Sequence, residues 1–229
     1  MPKLRRSLLA AATLVGASAL PADGAAQVAT LDRGAFTILR DDKPVGREEF
    51  EIRSMPALDG ATLEARGTTT VDGRSITTSL STSGSGMPLS YRVEVRAGGE
   101  VTERATGQAT PGRLRVEAQS AGGRAAREFP NGEGTVVLED GVFHQYYFLA
   151  RRAAAGGATA IAPRRNAQAS LRVASGEADP VTVGGQTVPA TRHAVTGDGA
   201  ARTIWVDAEG RVLRVSANGL VAVRDGPPR

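Results

Sequence analysis

The chain has 229 residues, with 28 Lys and Arg against 24 Asp and Glu, a formal charge of +4, two histidines and no cysteine. The missing cysteines exclude disulfides, and with only His144 and His193 as nitrogen ligands a structural zinc site is excluded too. The isoelectric point near 10.1 does not indicate a nucleic-acid partner. Only Lys3 and Lys43 are lysines, and the arginines are scattered, often beside Glu, rather than gathered in a basic stripe with aromatics.

The N-terminal segment reads as an export signal. Lys3, Arg5 and Arg6 precede an apolar run, Ser7 to Leu20, which Pro21 breaks. Gly24-Ala25-Ala26 then supplies small residues for cleavage near Ala26-Gln27. The run is shorter than the roughly 20 residues a membrane-spanning helix needs. Residues 1–26 are therefore expected to be a signal peptide, and 27–229 a single exported domain, periplasmic or secreted, with no transmembrane segment after cleavage.

From Gln27 onward strands and turns alternate. Residues 34–40, 47–54 and 61–71 read as strands, the last ending at Asp72-Gly73, a hairpin signal. Residues 74–83 pair back, and 89–97 alternate cleanly, with Leu89, Tyr91, Val93 and Val95 on one face. Further strands follow to about residue 139, then over 158–163, 169–175, 179–183 and 186–196. A last hairpin has strands Thr203 to Val206 and Val212 to Val215, closed by Asp207-Ala208-Glu209-Gly210. The fold class is mainly β with one helix: a single curved antiparallel sheet or half-barrel of about 10–13 strands. Alternation requires one sheet face to be wet and the other covered. Residues 226–229 read as a frayed tail.

The cover is expected at residues 136–152, VVLEDGVFHQYYFLARR, where four of the nine aromatic residues lie together beside His144. Asp140 suits an N-cap, and no Pro or Gly falls between Val142 and Ala155. Val142, Phe143, Tyr146, Tyr147 and Ala150 make one helical stripe. The spacing predicts one helix near 141–154, packed in the concave face of the sheet. It either plugs the sheet or lines an apolar cavity, for which Phe143, His144, Tyr146, Tyr147, Tyr91 and Trp205 are the candidate lining residues.

Signals for catalysis are weak. No G-x-S-x-G occurs, Ser83 to Gly86 reads as a flexible loop, and Gly184-Gly185 precedes a strand, not a phosphate-binding helix. Glu48, Glu49 and Glu51 form a charge cluster in which Glu49 and Glu51 share a face. His144 with Glu139 or Asp140 is the one conceivable hydrolytic pair, and His193 alternates within a strand. No cofactor, metal or catalytic residue is expected.

The stretches GAFTILRDDKPVGREEFEI, SGSGMPLSYRVEV and VTVGGQTVPATRHAV…TIWVDAEGRVLRVSA resemble the opening, middle and Trp-containing closing hairpin of uncharacterised exported bacterial β proteins. These are similar in architecture to the periplasmic lipoprotein carrier and acceptor (LolA/LolB-like) fold, a half-barrel wrapped around helical segments. That resemblance implies a non-enzymatic periplasmic protein carrying a lipid or other apolar ligand. The alternative is a structural or interaction protein of the envelope, with a filled core and an envelope protein as partner.

Overall fold

The computed structural model describes residues 28–58 and 60–228, so the expected signal peptide lies outside the described residues. Eight consecutive strands come first: β1 (Ala29–Arg40), β2 (Lys43–Ala57), β3 (Gly60–Val71), β4 (Arg74–Ser83), β5 (Pro88–Ala97), β6 (Glu100–Thr110), β7 (Arg113–Ser120) and β8 (Gly123–Pro130). A short β9 (Thr135–Val137) leads to helix α1 (Tyr146–Ala150) and a 3-10 turn over Ala153–Ala155. Then follow β10 (Gly157–Ala162), β11 (Ala167–Val173), β12 (Glu177–Ala178), β13 (Val181–Val183), β14 (Gln186–Val188), β15 (Thr191–Gly197), β16 (Arg202–Val206), β17 (Val212–Ala217) and β18 (Leu220–Arg224).

Sixteen of these strands make one sheet, ordered β8-β7-β6-β5-β4-β3-β2-β1-β18-β17-β16-β15-β11-β10-β9, with β12 added to β15. All its pairings are antiparallel except β9 with β10. The first and last strands are thus neighbours in mid-sheet. The sheet curls until its two ends meet through side chains: Leu114, Val116 and Phe129 from β7 and β8 pack with Ile161 of β10. Across the same seam Arg127 donates to the Asn166 carbonyl at 3.1 Å, and just beyond β8 the Asn131 amide donates to the Pro88 carbonyl of β5 at 2.9 Å. The result is a barrel-like, mainly β molecule.

Eighteen strands exceed the expected 10–13, for three reasons. The expected strand over 186–196 is divided by Pro189, which cannot donate to a ladder, and its first part becomes β14, paired with β13 in a separate hairpin. The turn Asn218-Gly219, both residues at positive φ, adds β18. Short β9 and β12 carry too few residues to show a period.

The expected helix near 141–154 is also corrected: α1 spans only Tyr146–Ala150, and Gln145, not Asp140, sits at its N-cap without a side-chain cap bond. Asp140 instead pairs with Arg165 and accepts from Asn218 at 2.7 Å. Ahead of the helix, the N–H groups of Phe143 and His144 turn to a strand carboxylate described below. The segment still fills the concave side, and all five helical residues are buried, with α1 against β16 and β17.

A second, smaller core lies outside the barrel. Val181, Val183 and Ala190 cover Leu213, which a bulge in the β16–β17 pairing turns outward.

Candidate functional site

Of the residues picked from the sequence, Phe143, His144, Tyr146, Tyr147 and Tyr91 are brought together, each only 1–4% exposed and packed in or against the main core. Tyr147 and Phe148 meet edge to face at 5.4 Å between ring centroids. Trp205 is not among them. It lies with the outer core, donating to Asp179 at 2.8 Å beneath the Arg214 guanidinium.

The polar centre of this interior is a residue that the sequence placed only in a strand charge cluster. Glu48 is fully buried, and its carboxylate accepts the backbone N–H of Phe143 at 2.6 Å and of His144 at 2.9 Å. It also faces His144 Nδ1 in a short contact. The other ring nitrogen, Nε2, is buried and has no hydrogen-bond partner among the described residues. The imidazole stacks on Phe50, which stacks on Phe36. Strand alternation was the available signal: if Phe50 and Ile52 point inward, so does Glu48.

The other picked carboxylates lie apart from His144. Glu139 accepts the Arg164 backbone and guanidinium, both at 2.8 Å, and Arg164 reaches on to Glu103 at 3.2 Å. Burial pushes the Glu139 carboxyl above its ordinary range, with Arg164 opposing it. Burial, reinforced by Glu139, likewise lifts the Tyr91 phenol well above its ordinary value, and burial pushes Tyr146 to about 12. His193 is satisfied, with Nδ1 3.0 Å from the Ala174 carbonyl.

A second buried node joins the first and last strands. Arg224 of β18 makes a two-pronged pair with Asp32 of β1 at 2.7 and 3.0 Å, and also donates to the Arg33 carbonyl at 2.7 Å. Its guanidinium lies against Gly34, where a Cβ would sit 2.8 Å from it.

A wide cavity lies on the opposite side of the sheet from the helix. It is an open groove of about 1520 Å³ over β1 to β7, and no residue of 138–155 lines it. Gly34, Gly67 and Gly107 line it although their missing side chains would point into the core, so its floor is bare backbone. The inward row behind this floor is small: Gly34, Gly67, Thr78 and Ala105 lie in one cross-strand register with Phe50 and Val93. Glu49 and Glu51 project on this outer side, paired along their own strand with Arg47 at 3.3 Å and Arg53 at 2.6 Å.

No protein-family model matches the chain, and no curated protein matches it. The architecture is that of a solved beta-barrel-like protein, a domain of unknown function (DUF1849) from Brucella abortus. It superposes with a TM-score of 0.55 at 12% identity, over 86% of this chain and 96% of that one. The class defined is therefore a barrel-like β fold, and the likeness extends to the fold alone.

Proposed function

We propose that this is an exported, non-enzymatic protein of the cell envelope that works through its outer surface, its interior serving as structural fill. The observation carrying this reading is the placement of the aromatic segment: its rings are packed into the core, and the wide groove lies behind the sheet from them. Acyl-chain carriage, which the resemblance to lipoprotein carriers implies, would require residues 142–150 to vacate the interior. The carboxylate of Glu48 holds Phe143 and His144 there. Hydrolysis through His144 would require a ring that solvent and substrate can reach, and its side chain is 0% exposed.

Two measurements test the reading together. Tyr147→Ala should lose roughly 3 kcal/mol or more of stability in urea, as an aromatic truncated in a core does. Native mass spectrometry of protein from its own host should show no bound lipid. A stable Tyr147→Ala variant, or acyl lipid co-purifying with the wild type, overturns the structural-fill reading in favour of a carrier. Export is tested separately by fractionation and N-terminal sequencing, with Gln27 expected as the first residue.

A further inference from the structure

Across the outer groove the strand pairings place seven side chains in one straight row: Arg33, Glu51, Arg66, Ser79, Arg92, Thr106 and Glu117. Each is the direct cross-strand partner of the next, and all seven line the groove. The arginines fall on β1, β3 and β5, that is, on every second strand. Adjacent strands lie about 4.8 Å apart, so a positive charge recurs about every 10 Å along a row about 30 Å long.

The row's negative groups are already neutralised by neighbours on their own strands. Glu51 is held by Arg53 at 2.6 Å and Glu117 by Arg115 at 3.0 Å. Arg66 has a loose partner in Glu64 at 3.3 Å. Arg33 and Arg92 make no ion pair among the described residues, Glu51 opposite Arg33 being turned to Arg53, which leaves two of the three arginines with unengaged forks for an incoming anion. Between and beside them stand hydroxyl and amide groups: Ser79 and Thr106 in the row, Thr68, Thr77 and Gln108 flanking it. Phe50 and Tyr91 reach the groove only as strand backbone, since their rings are buried on the other face.

This lining selects among ligands. A lipid is disfavoured because Ala35 is the one apolar side chain that the outer face contributes to the lining among the described residues. Single-stranded nucleic acid is disfavoured because no ring is available for stacking and because its phosphates come far closer together than the arginines. A chain rich in hydroxyls with one anionic group per two-sugar repeat matches both the spacing and the donors between. Resting on the reading that the protein acts through its outer face, we propose that the groove binds an extended anionic glycan laid across the strands, with its acidic groups on Arg33, Arg66 and Arg92.

The probe is a hyaluronan octasaccharide, which carries one carboxylate per disaccharide, titrated into the mature protein by calorimetry at low and moderate salt. Binding should occur and weaken as salt rises, and neutral chitin oligosaccharide of equal length should not bind. Arg33→Gln and Arg92→Gln should each reduce affinity roughly tenfold, the worth of one charge-assisted hydrogen bond. Their thermal unfolding should match the wild type, because both side chains are exposed. Arg104→Gln, which lies outside the groove and pairs with Glu94, should leave affinity unchanged. The proposal is overturned by absence of hyaluronan binding, by equal binding of the neutral oligosaccharide, or by full affinity in the Arg33→Gln/Arg92→Gln double variant. A poly-glutamate peptide binding in place of the glycan would overturn the ligand class while leaving the outer-face reading intact. Co-purifying lipid would strike the reading and not the groove.

Discussion

A Cβ on Gly67 would lie 2.6 Å from Cε1 and 2.7 Å from Nδ1 of His144. The imidazole therefore rests directly on the backbone of β3, in the only space where its Nδ1 can face Glu48 on β2. The strand, the carboxylate and the aromatic segment are fixed by one another, and this contact seats the segment 142–150 inside the barrel. Gly67→Ala is expected to lose about 1–3 kcal/mol, the usual cost of overpacking a core. In a double-mutant cycle with His144→Ala the two losses should not add, because the second change removes what the first collides with. Urea denaturation of the four proteins measures this, and a Gly67→Ala protein as stable as wild type would contradict the packing described.

Glu48 accepts two backbone N–H groups and faces the imidazole, so its removal strands three polar groups in the core. A buried donor left without a partner costs about 1–3 kcal/mol. Glu48→Ala should therefore destabilise by at least ~3 kcal/mol. Glu48→Gln, which keeps the shape and one acceptor oxygen, should destabilise by clearly less. Equal losses in the two variants would mean that the pair of carboxylate oxygens, and not the shape or a single acceptor, holds the segment.

The sequence exposes some of this and hides the rest for identifiable reasons. Alternation along REEFEI marks Phe50 and Ile52 as inward and, by the same parity, Glu48, although reading the three glutamates as one charge cluster obscures it. Pro189 and Asn218-Gly219 were legible punctuation for strands that the expected pattern merged or stopped short of. The shortness of α1 had no local signal. Phe143 and His144 have helix-compatible neighbours, and it is Glu48, 95 residues away from Phe143, that captures their N–H groups. The arginine row is hidden in the same way: Arg33, Arg66 and Arg92 are unrelated in sequence and become a periodic array only through strand register.

Arg224 and Asp32 bind the last strand to the first in a pair whose side chains are each 2% exposed. Breaking such a pair leaves a bare charge in the core. Arg224→Ala is expected to cost about 3–5 kcal/mol, while replacing both partners with apolar residues, Arg224→Met with Asp32→Leu, should cost less than the single change. Chemical denaturation of the single and double variants decides this. A double variant less stable than Arg224→Ala would show that the stranded Asp32 carboxylate is not the main cost of the single change.

Tyr91 and Tyr146 set the alkaline limit of the fold. Both phenols are held neutral by burial, Tyr146 up to about 12 and Tyr91 well above the ordinary 10.0. The unfolded chain releases these protons near pH 10 and the folded chain does not, so above that pH the unfolded state binds fewer protons. Stability must then fall as pH rises from 10 toward 12, whereas below pH 10 both states keep the protons and these groups contribute no slope. Phenolate absorbance recorded during an alkaline titration should show two tyrosines ionising only as the far-ultraviolet dichroism of the sheet is lost. Tyr91→Phe should weaken the decline, since it removes one of the two ionising groups while leaving its ring in the core. Phenolate from Tyr91 and Tyr146 appearing near pH 10 with the sheet intact would mean that solvent reaches the interior, and the structural-fill reading would then lose its main support.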